Sequence, residues 1–141
     1  MTRILTVIAL LFATPAWAGE VDGKSFLCEL QSGNQSASIK ALYRNFALKF
    51  EDRKAKKYFY NDYEETYYST DDTSVRWAVG SGQWLSYSMS RKTLTLKIEN
   101  HVDRTVLDIF QCKFMSLKNA RNIIDEYGNF YREKAREGNQ F

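Results

Sequence analysis

One histidine, two cysteines and a few adjacent acidic pairs set the covalent and acid–base chemistry this chain can offer. His101 falls in the turn-like stretch Asn100–Asp103, with Asp103 two residues on. General acid–base work or metal ligation there needs partners from elsewhere in the chain, and a turn histidine beside an aspartate is more commonly just solvated. The acidic pairs Asp71-Asp72, Glu64-Glu65 and Asp125-Glu126 lie in charged, turn-like or helix-surface contexts. Glycoside hydrolysis needs two carboxylates opposed across a cleft, which adjacency does not supply. No G-x-S-x-G, H-E-x-x-H, Walker or G-x-G-x-x-G pattern occurs. An enzyme built on an unfamiliar carboxylate pair is the lesser alternative.

Binding chemistry is better represented. Arg53-Lys-Ala-Lys-Lys57 is a basic cluster, and five of the nine tyrosines fall between positions 58 and 68. Lys56, Lys57, Tyr58 and Tyr60, with Trp84 and Arg91 near neighbouring turns, form a candidate surface for a glycan, a lipid headgroup or a partner protein. Tyrosine supplies flat apolar area with a polar tip, and lysine attracts anions. The plainer account is a hairpin with tyrosines on both faces, since tyrosine suits strands. Arg91, at a hairpin bend, can clamp an anionic group bidentately. Its structural alternative, which is favoured, is to stack on Trp77 or Trp84 or to pair with a carboxylate and lock the bend. Asp108 shares an alternation with Val106, Phe110 and Cys112, so it is either a buried carboxylate or displaced by a β-bulge, and the bulge is favoured.

The elements that must position these residues are mostly strands. Thr73–Val79 puts Val75, Trp77 and Val79 on one face; Gln83–Met89 opposes Leu85, Tyr87 and Met89 to Ser86 and Ser88. Thr93–Glu99 sets Leu94, Leu96 and Ile98 against Thr95 and Lys97, and Arg104–Phe114 carries Cys112. Upstream, Lys24–Leu30 opens the sheet, and Ser38–Phe50 resumes the pattern, most cleanly at Phe46, Leu48 and Phe50. Gly80-Ser-Gly82 allows a tight reversal. From Ser116, a plausible N-cap, the period changes: Leu117, Ala120, Ile124, Tyr127 and Tyr131 recur at helical spacing, and Ile123 widens the stripe. Gly128 weakens the middle of that helix by about 1 kcal/mol relative to alanine, enough to allow a break. The expected fold is mainly β, a meandering antiparallel sheet or open barrel of 7–8 strands over residues 24–114 with one C-terminal α-helix over residues 116–136. Phe46, Leu48, Phe50, Trp77, Leu85, Leu94 and Leu96 are the expected core.

Met1–Ala18 has the form of a secretory signal peptide: Arg3, an apolar run from Ile4 to Ala13, and the A-x-A site Ala16-Trp-Ala18. The run is shorter than the roughly 20 residues a permanent span needs. Residues 19–141 are then one domain in the periplasm or secreted, with no transmembrane segment after cleavage. Losing Arg3 lowers the formal charge of +3 by one, too even a balance to argue for nucleic acid. In an exported chain, Cys28 and Cys112 are expected to form one disulfide rather than a reactive thiol or a metal pair. Their Cα atoms must then lie within about 7 Å, so the first strand runs beside or across from the last.

Val75-Arg-Trp77, Ser88-Met-Ser-Arg-Lys-Thr-Leu94 and Phe110-Gln-Cys112 resemble a pattern in small exported bacterial and phage proteins. There an apolar-x-Trp strand precedes an N-R-x-T-[GL] hairpin turn and a late cysteine; here Ser90 replaces the asparagine. The resemblance implies a small antiparallel sheet and no activity. The periplasmic inhibitors of lysozyme are similar in being exported, small, all-β and closed by a disulfide. Their S-G-x-x-Y loop corresponds to Ser81-Gly-Gln-Trp-Leu85, with leucine in place of tyrosine. The function expected from these readings is an exported, non-catalytic binding module, inhibitor-like or accessory, for an unknown protein, glycan or envelope component, with no cofactor. A small barrel carrying an apolar ligand is the first alternative.

Overall fold

The computed structural model describes residues 21–33, 44–79 and 84–138. The leader expected at Met1–Ala18, the segment Ala37–Tyr43 and the Gly80–Gly82 reversal lie outside the described residues. Eight strands follow one another: β1 Ser25–Gly33, β2 Asn45–Glu51, β3 Lys54–Phe59, β4 Asp62–Thr70, β5 Ser74–Val79, β6 Leu85–Ser90, β7 Thr95–Asn100 and β8 Val106–Phe114. Each pairs antiparallel with the next, and β8 returns to pair with β1, so the meander closes into a barrel.

Period-two alternation decides the two faces. Phe26, Phe46, Leu48, Phe50, Val75, Met89 and Leu96 are fully buried inside, joined by Trp77, Tyr87, Ile98 and Phe110. The expected core is therefore found, with Leu85 half-buried near one mouth. The disulfide forms between Cys28 and Cys112, which face each other across the β1–β8 seam at a Cα separation of 4.0 Å. Cys112 sends its amide to Leu94, on the β7 side, so the two cysteines occupy a non-hydrogen-bonded pair, where side chains approach most closely. Asp108 corrects the favoured reading of that residue. A register shift does occur in β8, between the Ile98–Asp108 and Glu99–Val106 pairs, but Leu107 is the extra residue. The bulge turns Val106 outward and leaves Asp108 on the inner face, buried with Phe110 and Cys112.

Among the described residues, the hairpin turns contain no glycine. Asp52 and Arg53 both have positive φ (53° and 60°), the backbone a two-residue hairpin requires. The Ser90–Leu94 and Asn100–Arg104 turns share one design: a side-chain oxygen caps the next two free amides, and the fifth residue has positive φ. The Ser90 hydroxyl accepts from Lys92 and Thr93, as the Asn100 carbonyl accepts from Val102 and Asp103. Serine in one turn and asparagine in the other thus supply the same cap.

Helix α1, Leu117–Gly138, is capped by the Ser116 hydroxyl, which accepts from the Asn119 amide at 3.2 Å. It lies outside the barrel against β1 and β2, burying Ala120 and Ile124 on Leu27 and Ala47. It runs unbroken through Gly128, because that residue is a contact surface rather than a weak point. A Cβ there would sit 2.1 Å from the Tyr60 ring.

Candidate functional site

Two polar constellations stand out, one inside the barrel and one outside. Inside, β3 alternates Ala55, Lys57 and Phe59 toward the axis, and the pairing places Glu64 of β4 opposite Lys57. The Lys57 ammonium donates to the Tyr87 hydroxyl at 2.7 Å and lies 3.6 Å from the Glu64 carboxylate. It also stands over the rings of Phe59, Phe46 and Tyr87 at 4.3–4.5 Å. Tyr87 in turn stacks on Trp77, with centroids 5.2 Å apart. Burial pushes the Lys57 ammonium down to about 8, against the opposing pull of Glu64 and Asp108. The same burial, with those two carboxylates, raises Tyr87 above its usual range. Asp108 completes this layer beside Gly33, whose missing side chain leaves the room: a Cβ there would fall 1.9 Å from the carboxylate.

This layer has a measurable signature. Folded Lys57 releases its proton near pH 8, whereas an unfolded lysine does so near 10.5. Between those values the unfolded chain holds the extra proton, so Lys57 makes stability rise with pH, by at most about 1.4 kcal/mol per unit. Tyr87 acts oppositely above about pH 10, where unfolded tyrosine ionises first. Urea titrations from pH 7.5 to 10 should show wild type gaining about 2 kcal/mol relative to Lys57→Met. Parallel pH profiles for the two proteins would refute the assignment.

Outside, the short side chains of Ser86, Ser88 and Ser90 project from β6, between taller residues of the neighbouring strands. They floor a trough made of two adjoining concavities of 690 and 540 Å³, which share Ser88. Tyr67 and Arg76 stand on one side, and Lys97, Glu99 and Arg104 on the other. Tyr67 is 71% exposed. His101 lies within the trough and shares a 2.8 Å hydrogen bond through Nδ1 with the Ser86 hydroxyl. That contact has the reach of a nucleophile–base pair, but Ser86 sits within a strand whose backbone groups are committed to the β5 and β7 ladders. The bond fastens the Asn100–Arg104 turn to β6.

The residues expected to form one binding surface are dispersed. Lys57 points into the barrel. Lys56 points outward and pairs with Glu51 at 3.3 Å. Tyr58 and Tyr60 pack in the cluster beneath α1, where Tyr60 donates to Asn129 at 2.8 Å and accepts from Arg132 at 3.1 Å. Trp84 is exposed before β6, its carbonyl accepting the His101 amide. Arg91 is buried at the other end, and its guanidinium donates to the Asp71 carbonyl at 2.9 Å, fastening the β4–β5 turn. The Asp71 carboxylate accepts the Thr73 and Ser74 amides, bonds that hold it down to about 2. Arg91 thus locks a bend, the structural role expected of it, with the Asp71 backbone oxygen as one partner. The sequence groups Lys57 with the basic cluster Arg53–Lys57, and its alternation with Ala55 and Phe59 is the signal that could have turned it inward; the serine row of β6 was visible as alternation but carried no chemical signal until its neighbours were known.

Among the described residues no three His, Cys, Asp or Glu side chains gather as a metal set, and no helix is long and apolar enough to cross a membrane. Fold and disulfide define a small up-and-down β-barrel with one external helix, closed by a bridge suited to an oxidising, non-cytosolic environment. No family model, curated protein or solved structure matches the chain.

Proposed function

We propose that this protein is an exported, non-catalytic binding module that engages a cell-envelope component through the outer trough along β6. The observation that carries the reading is the open trough floored by the short side chains of Ser86, Ser88 and Ser90 between taller charged walls, on the side of the barrel away from α1. The filled axis favours surface binding over carriage of an apolar ligand, since Phe26, Phe46, Phe50, Leu48 and Met89 occupy the interior. Export to the periplasm or beyond rests on the Met1–Ala18 pattern and agrees with the disulfide.

Co-sedimentation of the oxidised protein with purified envelope material tests the proposal. Wild type should pellet, and Ser88→Leu, which fills the trough floor, should remain in the supernatant with an unchanged melting temperature. The double variant Lys56→Ala/Trp84→Ala, altered outside the trough, should pellet as wild type does. Retention that survives Ser88→Leu would refute the trough as the binding face.

A further inference from the structure

The trough's chemistry narrows its ligand. Ser86 to Ser90 span about 13 Å at strand rise, and Thr93 and Thr95 carry the floor further, the footprint of an extended chain rather than of a compact molecule. Its outward side chains are the hydroxyls of Ser86, Ser88 and Ser90, continued by Thr93 and Thr95 at one end. The hot spots of tight protein interfaces are most often aromatic or arginine anchors seated in well-packed, desolvated pockets. This floor is instead an open run of small hydroxyls: Ser88 faces the trough directly, while Ser86, bonded to His101, and Ser90, which accepts from the Lys92 and Thr93 amides, keep capacity for at least one further bond each. A polyhydroxylated chain matches that surface, and the exposed ring of Tyr67 at the rim supplies the flat face on which a sugar ring packs. Charge supplies the remaining selection. Arg76, Lys97 and Arg104 outnumber Glu99 along the walls, and Arg76, already 3.8 Å from Asp71, remains 64% exposed.

From these features we infer that the trough binds a linear anionic polysaccharide, one whose sugar units carry carboxylates. The cationic walls hold the charges, the serine row reads the hydroxyls, and Tyr67 stacks on one ring. The inference rests on the trough being the binding face, and its test separates the two claims.

Isothermal titration of the full, disulfide-bonded protein with a short oligogalacturonate, a neutral cello-oligosaccharide of equal length and polyglutamate makes that test. The oligogalacturonate should bind at least about tenfold more tightly than either comparison ligand. Its affinity should fall with added salt, as surface charge pairing does. Ser88→Leu and Arg104→Glu should each lose about tenfold or more without lowering the melting temperature. Equal binding of the neutral oligosaccharide removes the anionic requirement, and equal binding of polyglutamate removes the sugar requirement; either overturns the inference. Absence of oligogalacturonate binding overturns it too. If envelope retention still depends on Ser88 in that last case, the trough stands as the binding face and only its assignment to an anionic glycan fails.

Discussion

Replacing Cys28 and Cys112 together by alanine should lower the melting temperature by roughly 8–16 °C while leaving a protein that still folds. The two residues are 84 apart in sequence, and the chain-entropy account gives a bridge of that span at most about 4–5 kcal/mol, with about 2–4 kcal/mol typical. For a domain of about 120 residues the unfolding entropy converts that range into the stated shift. Position adds a local effect. The bridge lies on the β1–β8 seam, the one strand pair in the barrel whose members are not consecutive in the chain. Amide exchange should therefore accelerate more in β1 and β8 than in β5 and β6, in proportion to local opening. Uniform loss of protection across all strands would show that the bridge acts on the unfolded chain alone. Intact mass with and without reductant gives the prior check, since two free thiols in the oxidised protein would refute the bridge itself.

The second large effect concerns Gly128. In an unconstrained helix its replacement would add about 1 kcal/mol of stability through helix propensity. Here the sign reverses, because the Tyr60 ring occupies the space a side chain would enter, with three ring atoms within 2.6 Å of an added Cβ. Gly128→Leu should cost about 3 kcal/mol or lift α1 from the barrel, as overpacking at a filled contact does. Tyr60 also holds Asn129 and Arg132, so the displacement breaks both hydrogen bonds. Chemical denaturation reads the loss. Tyr60→Ala placed in the Gly128→Leu background should restore part of it, because the vacated ring space accepts the leucine. A Gly128→Leu protein as stable as wild type, or a double variant less stable than the sum of the two single changes, would refute the contact.

Much of the architecture was legible because its signals are local. Alternation at Phe46-Ala-Leu-Lys-Phe50 or Thr93–Glu99 assigns two faces to each strand, whatever the strand packs against. Ser116 followed by apolar residues at helical spacing marks the start of α1 for the same reason. The hairpin bend at Asp52-Arg53 carries no glycine to mark it: both residues take positive φ, and the Arg53 amide is tied to the carboxylate of Asp22, 31 residues earlier. Such a bond is set by the fold, not by the dipeptide.

By itself, then, the sequence determined the faces of the cleanly alternating strands, the late helix and the cysteine pairing, because each follows from neighbouring residues or from having only two cysteines to join. The tertiary structure alone decided that the sheet closes, since closure depends on accumulated twist and on how β8 meets β1. It decided that Lys57 enters the barrel, where Glu64 across the hairpin and the rings of Phe46, Phe59 and Tyr87 make burial of an ammonium tolerable. It placed α1 over Tyr58 and Tyr60, taking those tyrosines out of the exposed surface, and turned Ser86, Ser88 and Ser90 into the floor of a trough. A floor exists only relative to its walls, and Tyr67, Arg76, Lys97 and Arg104 come from β4, β5, β7 and the turn after β7, which the sheet pairing brings alongside.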